Sequence, residues 1–434
     1  MSLTLVACWG KDSHHRSPQI TGLPSASSSI PPLPDLHGTT VKVAAEWNGS
    51  DQEKFTKVLQ FFSKQTGVKV NYVSTGTGSN QSFTSKIDSD RGIDVAFLPR
   101  LSLLSQFAAS GRIKPVGQST LKQIKANYSP IWQDLGRFHG KQYGVSYKAT
   151  DKSIVWRNAK TFDKARASEP QTWRQFIPVA QKIADSGIPD ISIAGADGAT
   201  LSDWFENVYL SQSGPDMYSR LAHHKIKWTD PSVERALDAL SRLFTVKGLV
   251  APDPLHTDFR QSIVQTFSVP PKSAMTLGAD SIGKILPHQY KKEIGATVVP
   301  FLFPADTKKA TSSPPPQICA GDIAVSFSGT VGAEALLTFL ASPQAGEIWA
   351  QQGDFISPNS KVAFTAYSDA ISGYAAAMLN LATSLNYDMS DQESGSFGGT
   401  GAGSEARDLQ KFLQDPHSVG DTQRQLESDA ARHS

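Results

Sequence analysis

Cysteine is almost missing from this 434-residue chain: Cys8 and Cys319 are too few for a disulfide framework or a four-cysteine zinc site. An excess of charge is missing too. Forty-two Lys and Arg against forty Asp and Glu leave a formal +2, which offers no footprint for a nucleic-acid backbone. No apolar run approaches the ~18 residues of a bilayer crossing. No self-similarity at a period of ~20–50 residues is present, which sets aside solenoids and propellers. His14-His15 and His223-His224 are adjacent pairs whose side chains diverge on a helix or strand, so no metal site is expected. The glycine-rich stretch 395–403 lacks the Lys-Ser/Thr ending of a phosphate loop, and no cofactor is expected either. What the chain does have is length, roughly three times the ~150 residues of an average domain, which implies two lobes or more.

At the N-terminus, Leu5-Val6-Ala7-Cys8 resembles the lipobox at which bacterial lipoproteins are cleaved and acylated. Only Met1 to Ala7 precede the cysteine, without a Lys or Arg, so the export signal is truncated. From Lys11 to Gly38 the chain is rich in Ser and Pro and lacks periodicity, which is linker composition. Residues 1–38 are therefore expected to be a lipid-anchored tether, with Cys8 as the anchor. Extended, the segment after Cys8 reaches ~100 Å. One acyl chain alone holds a membrane weakly, so anchoring calls for two or three.

Beyond the tether the patterns alternate. Val41 to Ala45 is a short apolar strand, and Asp51 to Gln65 carries Phe55, Val58, Leu59 and Phe62 at helical spacing before Gly67. Val68 to Val73 and Asp94 to Leu98 give two more strands, the latter leading into a helix over Leu101 to Ala109. Further helices are predicted at Trp173–Ser186, Leu201–Ser213, Ser232–Thr245 and Gly332–Leu340. Strands separated by helices imply a parallel sheet, whose ligands sit beyond the carboxyl ends of its strands. Here those ends are Glu46 to Ser50 and Pro99-Arg100.

The order of segments resembles the carbohydrate-binding proteins of ABC importers. The resemblance rests on Gly111 to Val116, then Gly140 to Ser146, Lys152 to Asn158 and Pro170 to Phe176, in that order and spacing. Asp203 to Asn207 before Gly214-Pro215-Asp216, Trp228 to Val233, Ala274 to Gly278 and Asp388 to Asp391 resemble the α-glucoside branch. Ser146 and Arg157 depart from the family's usual Pro and Tyr, and the pair Ala279-Asp280 lacks its usual apolar-aromatic character. The resemblance implies an α/β, maltose-binding-protein-like clamshell with discontinuous lobes, 39–148 plus 296–342 and 149–295 plus 343–434. The chain would cross between them near Lys148, Gly295 and Ser342. It implies an extracytoplasmic, monomeric receptor that closes on a small glucoside or short oligosaccharide. Its partners would be an ABC permease heterodimer with a cytoplasmic ATPase, and the membrane through its lipid.

A sugar presents C–H faces and hydroxyls, so its site calls for aromatic platforms among carboxylates, amides and guanidiniums. Trp47 and Asn48 follow the first strand and Arg100 follows the third. Tyr147, Lys148 and Asp151 lie at the implied hinge. Asp203 and Trp204 open a helix, with Trp204 the foremost platform and Trp47 its counterpart on the other lobe. Gly278 and Asp280 follow a strand, Asp391 could accept hydroxyls, and Phe355 and Phe397 could stack. Trp156, Trp173, Trp228 and Trp349 lie in apolar-periodic segments and are expected to be structural, and Cys319 buried and inert. A rival reading makes the chain an extracellular carbohydrate-active enzyme using Asp388 and Asp391 as its carboxylate pair. Another keeps the clamshell as a sensor without transport.

Overall fold

The structure, a computed structural model, describes residues 30–306, 315–382, 384–398 and 403–433. Cys8 and the tether up to residue 29 lie outside the described residues. The strands are β1 (Thr40–Ala45), β2 (Lys69–Ser74), β3 (Val95–Leu98), β4 (Arg137–Phe138), β5 (Lys141–Gln142), β6 (Gly144–Asp151), β7 (Ile154–Asn158), β8 (Ile191–Ser192), β9 (Met275–Leu277), β10 (Val298–Leu302), β11 (Gln317–Ser326) and β12 (Leu385–Tyr387). They form two main sheets. The first runs β12-β11-β3-β1-β2, with β6 on the other side of β11, and the second runs β10-β7-β9-β8. β1 is parallel to β2 and β3, as the alternating pattern requires, whereas β11 is antiparallel to β3 and β6.

Local chemistry explains the elements the sequence announces. In the helix Gly49–Thr66, Phe55, Val58, Leu59 and Phe62 fall on one face and are buried against the first sheet, and the helix ends where Gly67 takes φ 73°. A side chain at Gly67 would also meet the His37 ring, which is exposed and can swing aside, so the positive φ is what favours glycine. The helix Ala199–Ala222 extends beyond the expected Ser213. Gly214 breaks its geometry (φ 79°, ψ 173°), and helical backbone resumes after it with Pro215.

Alternation along β7 divides its side chains between two apolar cores: Ile154 and Trp156 face the first, Val155 the second. The first core gathers Trp47, Phe55, Phe97, Tyr147, Trp349 and Phe355, and the second gathers Trp173, Phe176, Trp204, Phe205, Trp228 and Phe303. The chain passes between sheets at Asp151–Ser153, between Phe303 and Gln317, and at Tyr387–Met389. These crossings correct the expected ones near Gly295 and Ser342. Residue 295 precedes β10, which pairs with β7 in the second sheet. The helices Pro343–Ala350 and Ala370–Leu381 bury Trp349, Ile371 and Ala375 in the first core, so 343–382 does not join the second lobe.

Candidate functional site

The carboxyl ends of β1 and β3 deliver Glu46 and Arg100 to the space between the two sheets, where charged groups from both sides meet. Arg100 donates to the Gly78 carbonyl (2.7 Å) and to Asn80 Oδ1 (3.1 Å), which fixes its guanidinium. So held, it lies 3.8 Å from Glu46 Oε1 and 3.8 Å from Asp391 Oδ1. Arg100 and Glu46 belong to the first core's side and Asp391 to the segment after the last crossing. Glu46 Oε1 is buried and no protein donor reaches it. Burial drives the Glu46 carboxyl up to about 7, against the pull of Arg100 and with the push of Asp322 and Asp391.

Asp322 reaches the same space because β11 is irregular there. The register against β6 shifts between Asp322 and Ile323, and a Cβ on neighbouring Gly321 would sit 2.2 Å from the Lys148 carbonyl oxygen. Asp322 Oδ2 accepts from Trp47 Nε1 at 3.3 Å, and burial lifts its carboxyl to about 6. Asp51, in the first turn of the helix Gly49–Thr66, accepts from Lys148 (3.0 Å) and from Lys284 (2.8 Å to each oxygen). Burial alone would raise Asp51. The two ammonium groups outweigh it and hold the carboxyl below its ordinary value.

A second charged group sits at the crossings. Lys152 pairs with Asp388 and with Asp203 (3.2 Å). Burial opposes its charge, but Asp203 and Asp388 reverse the balance and keep it protonated. Asn207 accepts from Ser153 Oγ (2.7 Å) and donates to the Lys152 carbonyl (3.0 Å), pinning the crossing strand to the helix Ala199–Ala222. Glu206, one turn from Asp203, accepts from the backbone N–H groups of Met389 (2.9 Å) and Ser390 (3.2 Å) and from Tyr218. Burial, with Asp388 and Glu405 nearby, pushes its carboxyl well up.

Of the residues singled out in the sequence, Asp203 joins the second charged group with Lys152 and Asp388, and Arg100, Lys148 and Asp391 reach the first charged space. Asn48 lies exposed beside it, preceding the helix that carries Asp51. Trp47 is at its edge, 7% exposed, its ring among Phe55, Phe97 and Trp349 and its N–H toward Asp322. Several others do not reach it. Trp204, the foremost expected platform, is 0% exposed and wedged edge-on between Phe176 and Phe303, because it shares a helix face with Leu201, Phe205 and Val208. Phe355 stacks on Trp349 at 4.9 Å inside the first core, and Phe397 meets Trp228 edge-on at 5.4 Å. Tyr147 is buried, with its hydroxyl on the Ala345 carbonyl. Gly278 serves β7: its carbonyl accepts from Trp156 Nε1 at 2.7 Å. Asp151 and Asp280 are tied to each other, the Asp151 N–H donating to Asp280 Oδ1 at 3.0 Å. The sequence reading missed Glu46 as an individual residue, although it opens the first candidate loop, and missed Asp51, Asp322, Lys152 and Lys284 as site residues. No local signal marks them, since their partners lie 51 to 275 residues away.

Residues 44–347 match the family described as bacterial extracellular solute-binding protein. The osmoprotective compounds-binding protein GgtB of Synechocystis is 30% identical over 358 residues, covering 81% of this chain and 83% of the relative. The alpha-glucosides-binding periplasmic protein AglE of Rhizobium meliloti is 30% identical over 383 residues, covering 84% and 82%. Among solved structures, the bacterial solute receptor AcbH superposes with a TM-score of 0.73 at 16% identity, over 91% of this chain and 98% of that one. The apo form of RafE from Streptococcus pneumoniae gives 0.73 at 14% identity, over 92% and 99%. These two likenesses establish the two-lobe binding-protein fold. With charged groups of both lobes converging between the sheets and the family match spanning most of the body, the chain belongs to the bacterial extracellular solute-binding proteins.

Proposed function

We propose that the chain is an extracytoplasmic receptor for a small glucoside, of disaccharide size or less, which it hands to an ABC permease pair driven by a cytoplasmic ATPase. Glu46 carries the reading: a buried carboxylate oxygen without a protein donor, beside Arg100 and across from Asp391, suits a ligand hydroxyl. Arg100 would donate to vicinal hydroxyls while Asp322 and Asp391 accept. With Trp204, Phe355 and Phe397 in the cores, Trp47 is left as the apolar wall, which favours a short hydroxyl-rich ligand over a long stacked oligosaccharide. The compounds for which GgtB and AglE are named, osmoprotective compounds and alpha-glucosides, support the same class. Closure of the lobes would present the loaded form to the permease. The receptor would be monomeric and held at the membrane through acylated Cys8. No chemical step on the sugar is part of the proposal.

A thermal-shift screen against glucosylglycerol, trehalose, sucrose, maltose and maltotriose tests it, because a ligand of the native state raises apparent stability by RT ln(1 + [L]/Kd). A shift with one of the smaller ligands is expected, and its loss in Arg100→Ala by about thirtyfold in affinity would place the ligand at this site. No shift with any of them would refute the glucoside assignment.

A further inference from the structure

The contact between Asp51 and Lys284 joins the two lobes. Asp51 sits in the first turn of a helix packed on β2 of the first sheet, and Lys284 in the short helix Ile282–Ile285, which packs on the helix Phe259–Thr266; that helix lies against β8 and β9 of the second sheet, while Ile263 and Ile282 bury their side chains with the first core. The lysine meets both carboxylate oxygens at 2.8 Å, and Lys148 supports the same carboxylate at 3.0 Å from β6. An apolar contact adjoins the pair, since a Cβ on Gly283 would lie 3.3 Å from Cδ1 of Ile371 in the first core. One residue-turn earlier, Asp280 receives the N–H of Asp151 at the first crossing. Residues 280–284 thus touch the hinge and the opposite lobe together.

We propose that the Asp51–Lys284 pair is an ionic latch between the lobes, with Lys284 acting as a positioning residue that sets the closed fraction and through it the ligand affinity. The inference rests on the reading of the chain as a receptor that closes. Lys148 keeps Asp51 charged and oriented in either arrangement, so the latch needs only Lys284 to arrive. A ligand that binds the closed form has its apparent affinity reduced by the fraction of molecules that are open. A pair this exposed, with Lys284 at 37% and Asp51 at 16%, contributes modestly and is screened by salt.

The test begins without ligand. Small-angle scattering of the full chain is recorded at about 0.01 M and about 1 M sodium chloride, where the Debye length falls from ~30 Å to ~3 Å. The wild type is expected to be compact at low salt and to expand at high salt. Lys284→Gln and Lys284→Glu should be expanded at both, and Lys284→Arg should follow the wild type. Circular dichroism melts confirm that each variant folds. With the glucoside found in the screen, Lys284→Gln should bind about two- to fivefold more weakly at low salt and equally at high salt. Radii of Lys284→Gln and Lys284→Glu equal to wild type at both salts would overturn the latch. Radii that respond as expected while no glucoside binds would uphold the latch and count against the ligand class alone.

Discussion

Trp47 and Trp204 come from opposite lobes, yet one borders the charged groups between the sheets and the other is sealed in a core. Trp47 follows a strand, where the chain turns outward, and its N–H finds Asp322. Trp204 lies within a helix, at 0% exposure, and its buried N–H has no partner. The contrast extends to the carboxylates. Glu46 Oε1 accepts no protein hydrogen bond at the carboxyl end of β1, with Arg100 3.8 Å away, whereas Asp151 Oδ2 accepts none at the buried first crossing. An unsatisfied buried group next to a cleft points to a ligand, and the same group inside a core is a standing cost. Position relative to the sheet ends tells the two cases apart.

The largest effect that would break this comparison is at Trp204. Trp204→Ala removes a full indole from between Phe176 and Phe303 and should cost ~3–5 kcal/mol, read by urea denaturation. The fraction that stays folded should bind ligand with wild-type affinity. Loss of affinity without loss of stability would return Trp204 to the cleft as a platform.

An intermediate effect belongs to Asp151. Burial raises its folded pKa from 3.8 to about 8, with Ser153 N–H opposing the rise and Asp280 adding to it. The folded state therefore holds a proton that the unfolded state releases above 3.8. Its contribution is fully present below that value, declines as pH rises, and is lost by about 8. Asp151→Asn removes this dependence. It should raise the melting temperature by a few degrees at pH 8 and change it little at pH 4, in scanning calorimetry. A larger gain at pH 4 than at pH 8 would contradict the assignment.

Much of the fold was legible in the sequence because its signals are local. A short apolar run, an alternating run and a second apolar run mark β1, β2 and β3 to within a residue or two, and Phe55, Val58, Leu59 and Phe62 mark the helix between the first two. The family resemblance added the two-lobe arrangement, since β11, which lies between β3 and β6 in space, follows them by more than a hundred residues and is found by no periodicity. The site was legible only at the strand ends. Arg100 and the loop opening with Glu46 follow from the topology of a parallel sheet. Lys284 and Asp322 do not, because what brings them to Asp51 and Trp47 is tertiary packing across 233 and 275 residues. Trp204 differs from its expected place for another reason. Leu201, Phe205 and Val208 already defined its face as the buried one, but an aromatic beside Asp203 and Asn207 looks like a sugar platform when composition is weighed above periodicity.

The smallest effect sharpens the comparison most, because it isolates the indole N–H from the bulk of the ring. At Trp204, Phe removes an N–H that has no partner, so the relief of an unsatisfied donor, ~1–3 kcal/mol, offsets the volume lost beside Phe303. The net change in stability should lie within ~1 kcal/mol. At Trp47, Phe keeps the contacts with Phe55, Phe97 and Trp349 but takes away the donor to Asp322 Oδ2. That hydrogen bond is one of the influences that hold the Asp322 carboxyl down to about 6, so its loss moves the titration upward. Trp47→Phe should lose ~0.5–1.5 kcal/mol at pH 8, where Asp322 is ionised and the bond is charge-assisted, and less at pH 5, where the carboxyl is already protonated. Urea denaturation of both Phe variants at the two pH values separates the cases. A pH-dependent loss at Trp204, or a pH-independent one at Trp47, would reverse the roles given to the two rings.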